Sequence, residues 1–221
     1  MADTGGLRSL REFNEGVLFW IQPVLNKRYF ELVGEGRTYA TLHWEHESKS
    51  LAIARFHNGV FTFKRAGFLM PHVTVRRSGE DGDFGRLRFS LGGSGLLELH
   101  EGRSYRLLCM SSSSQVWAFV DNRGSRLCTF VMTKGIAKRC AEVTIEAEGR
   151  RMKDIAVIVL VGWYFLRIKE EEELAAAAAA ASWPFRSGAD DGGFMMMAAA
   201  ASAGAVASIP PPSPPPPSFH P

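Results

Sequence analysis

Residues Ile155 to Leu166 form an unbroken apolar run, with Ile168 one step beyond. The length of that run constrains the fold. A helix that crosses a bilayer needs about 20 apolar residues, and a usual buried strand has roughly 4–8. The β-branched Ile155, Val157, Ile158, Val159 and Val161 favour strand. The flanks favour helix, because the chain continues through Glu170–Glu173 and Leu174 into the alanines 175–181. We read one helix. It is apolar on every side, so it suits burial all round and not a place on a surface. Gly162 costs such a helix about 1 kcal/mol relative to Ala, which implies close packing at that point.

The chain before the run alternates like sheet. Short strands separated by Gly, Asn, Asp or Ser turns are expected at 17–22, 28–33, 38–45, 50–56, 60–66, 72–77, 85–90, 96–100, 104–109, 116–120, 126–131 and 141–147. Leu87 and Phe89 alternate with Arg86 and Arg88, and Val143 and Ile145 with Glu142, Thr144 and Glu146. A period of two with one polar face predicts antiparallel pairing. Short turns such as His57-Asn58-Gly59 and Asp121-Asn122-Arg123-Gly124 suit hairpins between sequence neighbours. Twelve strands in an open sheet would leave bare edges, and closure removes them. A barrel of that size is too wide for its own side chains to fill. The expected fold is therefore mainly β, a closed antiparallel barrel of about twelve strands around a central hydrophobic C-terminal helix.

Charge and low-complexity sequence set the domain limits. Residues 1–169 hold 25 Lys and Arg against 17 Asp and Glu, whereas residues 170–221 hold one Arg and six acids. Residues 1–14 read as a flexible N-terminal arm, and 15–174 as the barrel with its helix. Residues 175–221 read as an Ala- and Pro-rich disordered tail, because such tracts build no packed core. Its proline run could adopt polyproline II and meet a protein partner. Cys109, Cys128 and Cys140 are odd in number and lack C-x-x-C spacing, which argues for small buried hydrophobes in a reducing compartment. No secretory signal stands at the N-terminus, so a cytoplasmic location, peripheral at a membrane, is expected.

Local phrases carry a family resemblance. They are Asn26-Lys27-Arg28-Tyr29-Phe30-Glu31-Leu32, Phe61-Thr62-Phe63-Lys64-Arg65-Ala66-Gly67-Phe68, Trp117-Ala118-Phe119-Val120-Asp121 and Val159-Leu160-Val161-Gly162-Trp163-Tyr164. Together with the order of elements, they make residues 15–170 resemble the tubby C-terminal-like superfamily, which includes tubby, the phospholipid scramblases and the LURP-one-related proteins. The resemblance implies a barrel threaded by a hydrophobic helix and a link to membranes. Two scramblase features are missing from the sequence: a Pro- and Cys-rich N-terminal region and a Ca²⁺ loop after the barrel. Scrambling is therefore not implied, and no residue here is matched to tubby's phosphoinositide contacts.

No catalytic pattern emerges. His43 and His46 face opposite sides of a strand, so they cannot share a metal. Glu80-Asp81-Gly82-Asp83 lacks the further oxygen ligands of an EF-hand loop and reads as a turn. Gly92-Gly93-Ser94-Gly95 lacks the Gly-Lys-Ser/Thr ending of a phosphate loop. Serines 111–114 have no partnered base. We expect no enzyme, no cofactor, no metal, no transmembrane span and no nucleic-acid partner. The expected function is a non-enzymatic tubby-like module contacting anionic membrane lipid through a basic surface, with Lys134, Lys138, Arg139, Arg76 and Arg77 as contact residues. The alternatives are a structural or protein-interaction scaffold, and a small-molecule carrier or enzyme using a cavity beside the helix.

Overall fold

The computed structural model describes residues 6–13, 16–25, 27–45, 50–67, 70–90, 93–113, 115–133 and 139–181. Among them lie twelve strands: β1 (Leu18–Ile21), β2 (Tyr29–Gly34), β3 (Arg37–Trp44), β4 (Leu51–Phe56), β5 (Gly59–Ala66), β6 (His72–Arg77), β7 (Gly85–Phe89), β8 (Gly95–Leu99), β9 (Ser104–Ser111), β10 (Val116–Val120), β11 (Arg126–Met132) and β12 (Arg139–Ile145). Each pairs antiparallel with its sequence neighbours, and β1 pairs with β12 to close the ring. The expected edge-free barrel is the observed one. Two helices follow, α1 (Ala147–Arg151) and α2 (Ile155–Ala181).

Alternation sets the two faces of the wall. Leu18 and Trp20, Phe30 and Leu32, Val73 and Val75, and Val143 and Ile145 are all 0–1% exposed. Their neighbours along each strand turn outward. The pattern breaks in β3, where both Tyr39 and Ala40 are buried. The β2–β3 register shifts here, so that Leu32 pairs with Ala40 and Val33 with Thr38, leaving Tyr39 as the extra residue. Phe13 meets Tyr39 edge-on with ring centroids 5.5 Å apart. Leu10 and Phe13 are both buried, and the Arg8 amide donates to the Thr38 carbonyl at 3.0 Å. The sequence expectation of a free arm over 1–14 therefore fails for residues 8–13. Two apolar side chains in a polar stretch, with a partner created by a bulge, gave no periodic signal.

Trp163, Tyr164 and Phe165 of α2 are consecutive, so their side chains leave the helix about 100° apart. Trp163 stacks on Trp20 of β1 at 5.3 Å and meets Phe30 of β2 edge-on at 5.5 Å. Tyr164 lies against Trp44 of β3 and Phe63 of β5, both at 5.5 Å. Phe165 lies against Phe89 of β7 at 5.0 Å and Trp117 of β10 at 6.0 Å. One helix thus touches strands spread round the ring, and Ile158 to Val161 are 0% exposed. From Glu172 to Ala181 the same helix is exposed. No described helix is long and apolar enough to cross a membrane.

Gly162 supplies the close packing that its cost implied. A Cβ there would stand 2.8 Å from Phe130 of β11 and 2.9 Å from Phe119 of β10. Gly162→Leu is expected to destabilise the fold by roughly 1–3 kcal/mol or more through overpacking, and Gly162→Ala to destabilise despite its better helix propensity. Calorimetric melting of both variants checks this. A raised melting temperature for Gly162→Ala would mean that the two rings yield freely.

Candidate functional site

Polar side chains gather at both ends of α2. At its start, Asp154 is only 5% exposed. Its carboxylate accepts from the Arg103 guanidinium and, at 2.9 Å, from the Tyr105 hydroxyl. Glu101 extends this network, taking Arg103 at 3.2 Å and Lys153 at 3.0 Å. Burial, and then the bond to Asp154, push the Tyr105 phenol up to about 12. Each charge of this network has an opposite partner. The network fixes the approach to the helix.

At the other end, the four consecutive acids are satisfied one by one. Glu170 takes Arg167, Glu171 takes Arg28, just before β2, at 2.7 Å, Glu172 takes Arg65 of β5 and Glu173 takes Lys169. The cations also rest on aromatic faces. Arg28 lies 4.6 Å over Trp44, Arg167 5.1 Å over Phe30 and Lys169 5.8 Å over Trp117. The Tyr164 hydroxyl donates to the Ser50 carbonyl and accepts from the Arg65 amide at 3.0 Å. The sequence reading treated Glu170–Glu173 as helix formers only. The overlooked signal is four acids in succession, which 100° steps distribute around the helix.

Of the residues expected to contact an anionic ligand, Arg76 and Arg77 are the two with described side chains. Lys134 and Lys138 lie outside the described residues, and Arg139 is described only by its backbone, opposite Ile21. Arg76 and Arg77 are adjacent on β6, so their side chains leave opposite faces. Arg76 donates to Asp83 at 2.9 Å, and Arg77 to Glu80 at 2.9 Å. The acidic turn thus serves the arginines beside it. Bonds from Arg76 and Arg86 hold the Asp83 carboxyl below its ordinary range.

Arg76 belongs to a different basic set. On the outer face of β5–β7, Lys64 pairs across with Thr74, Thr62 with Arg76, Thr74 with Arg86 and His72 with Arg88. Lys64, Arg76, Arg86 and Arg88 therefore stand on one side of three adjacent strands, and all four are exposed. Asp83 and Glu98 are the acids paired to this row. The cations come from three separate strands, and only register brings them together.

Other candidates carry less. A recess of about 180 Å³ lies between α2 and β9–β11, lined by residues including Trp117, Met132, Leu166 and Lys169. It is smaller than the roughly 300–1,000 Å³ of typical ligand pockets. Among the described residues, no three His, Cys, Asp or Glu side chains are placed to hold a metal ion. Cys128 is buried, which drives its thiol pKa up, while Cys109 is exposed and Cys140 half-buried.

Two measurements test the Asp154 network. Asp154→Ala leaves Arg103 and Tyr105 without their buried acceptor and is expected to cost about 3–5 kcal/mol in denaturant unfolding. The fold holds the Tyr105 proton more tightly than the unfolded chain does. Its stabilisation is complete below pH 10 and is lost as pH rises through about 12. Tyr105→Phe should therefore lose less stability than the parent protein over that interval. Equal losses would refute the linkage.

Comparison with known proteins leaves the chain without an assigned family: no family model, no curated protein and no solved structure matches it.

Proposed function

We propose that this chain is a non-enzymatic, tubby-like binding module that meets anionic membrane lipid peripherally through the outer face of β5–β7. The observation that supports this reading is the row of Lys64, Arg76, Arg86 and Arg88 on adjacent strands, with Asp83 and Glu98 the acids paired against it among the described residues. The short Thr62 and Thr74 side chains lie between the cationic ones, and two carboxylates, Asp83 and Glu98, stand against four cations, so the row keeps a net positive charge. Each Lys or Arg near an anionic leaflet contributes about 1 kcal/mol within a Debye length. Four cations give weak, salt-sensitive attachment suited to reversible contact. The closed barrel holds the row rigid, so little ordering entropy is lost on contact.

Co-sedimentation with vesicles of graded phosphatidylserine content, at low and high salt, tests the reading. Binding is expected to rise with phosphatidylserine and fall with salt. Lys64→Glu combined with Arg86→Glu should weaken it more than about tenfold while melting stays cooperative. Equal partitioning onto neutral and anionic vesicles, or none onto either, would reject the lipid reading and leave a protein-interaction scaffold.

A further inference from the structure

We propose that the outer face of β9–β12 docks a second copy of this chain. Outward positions on β5–β7 are largely charged, whereas here apolar side chains on β9–β11 lie between charged ones. Ala118 of β10 is 0% exposed and pairs with Leu108 of β9 and Thr129 of β11. Val120 is 5% exposed, Met110 is 48% exposed and Val131 half-buried. The result is a shallow apolar trough along β10.

The charges around this trough are arranged to complement themselves. Arg106 of β9 and Arg126 of β11 both pair across with Val120, so they flank it at one end of the trough. Glu142 and Glu146 border the β12 side, and Glu146 lines the same trough as the two arginines. Among the described residues, none of these four side chains forms an ion pair. A two-fold axis parallel to the strands, between β10 and β11, would lay β10 of each copy over β11 of the other. It would also set Arg106 of each copy opposite Glu146 of the other, the reciprocal pairing of an isologous interface. The wall has no free edge for strand addition, so recognition falls to side chains. Met and Arg are the residue types that interfaces favour. Four strands about 4.8 Å apart make a small patch, well below the roughly 800 Å² per partner of a standard interface. The dimer is weak and salt-sensitive.

This inference is independent of the lipid reading, which uses a different face. Sedimentation equilibrium of the full chain without lipid tests it, from dilute solution to the solubility limit at low and high salt. A reversible monomer–dimer equilibrium weakened by salt is expected. Arg106→Glu alone and Glu146→Arg alone should each weaken it at least tenfold. Glu146 makes no side-chain capping bond to α1, so its replacement spares that helix. Mixing the two variants should restore association, because each reversed charge then meets its opposite. Rescue excludes misfolding as the cause of the single-variant losses. A monomer at every concentration, or a dimer indifferent to both reversals, overturns the proposal. A chain that stays monomeric, and whose binding to phosphatidylserine vesicles falls with Met110→Asp, would give this face to a bilayer instead.

Discussion

The contact of Trp163, Tyr164 and Phe165 with aromatic side chains of the wall is the interaction on which the rest depends. Three consecutive residues on a helix reach three sectors, and each finds two rings belonging to different strands. Aromatic pairs contribute about 0.5–1.5 kcal/mol beyond the area they bury. The arrangement also has a cost. The indole N–H groups of Trp20, Trp44 and Trp163 are buried without an acceptor. Burying an unsatisfied donor costs about 1–3 kcal/mol, so the packing of these large rings has to outweigh those losses.

The ion pairs at the two ends of α2 serve this packing. Asp154 with Arg103 and Tyr105 fixes where the helix begins, and Glu171 and Glu172 tie its far end to Arg28, just before β2, and to Arg65 of β5. Half-exposed pairs of the second kind contribute little stability each. Their value is register: a helix rotated by one residue would lose the ring stacking and the ion pairs together. Gly162 imposes the same demand, since only one face of the helix can lie against Phe119 and Phe130.

The fold was largely legible in the sequence because its signals are local and periodic. Alternating side chains located all twelve strands to within two residues at each end, and the apolar run located α2 at Ile155. The helix runs on to Ala181, so residues 175–181 belong to it and not to the tail expected over 175–221. Non-local arrangements were hidden. The burial of Phe13 depends on a bulge at Tyr39, and the ion pair of Glu171 with Arg28 joins residues 143 positions apart. The basic row on β5–β7 could not be read for the same reason. A run of neighbouring cations is visible in sequence, but cations two residues apart on separate strands become neighbours only once register is known. Arg76 and Arg77 illustrate the opposite error, since adjacency along a strand separates side chains.

Closing the ring through β1 and β12 has a consequence for how the chain comes into being. The pairing of Leu18 with Val143 joins the two ends of the barrel, and the core is completed only by residues that follow β12. A ribosome releases the chain from the N-terminus, at about 5–20 residues per second in cells. For several seconds all inner faces of the early strands therefore exist without the helix they pack against. Long-range pairing of this kind is intrinsically slow. The nascent barrel thus passes through an interval of open edges and bare aromatic surface, when chaperone binding or aggregation competes with closure. The finished molecule has no strand edge left to offer, so its exposure to misassembly is concentrated at birth.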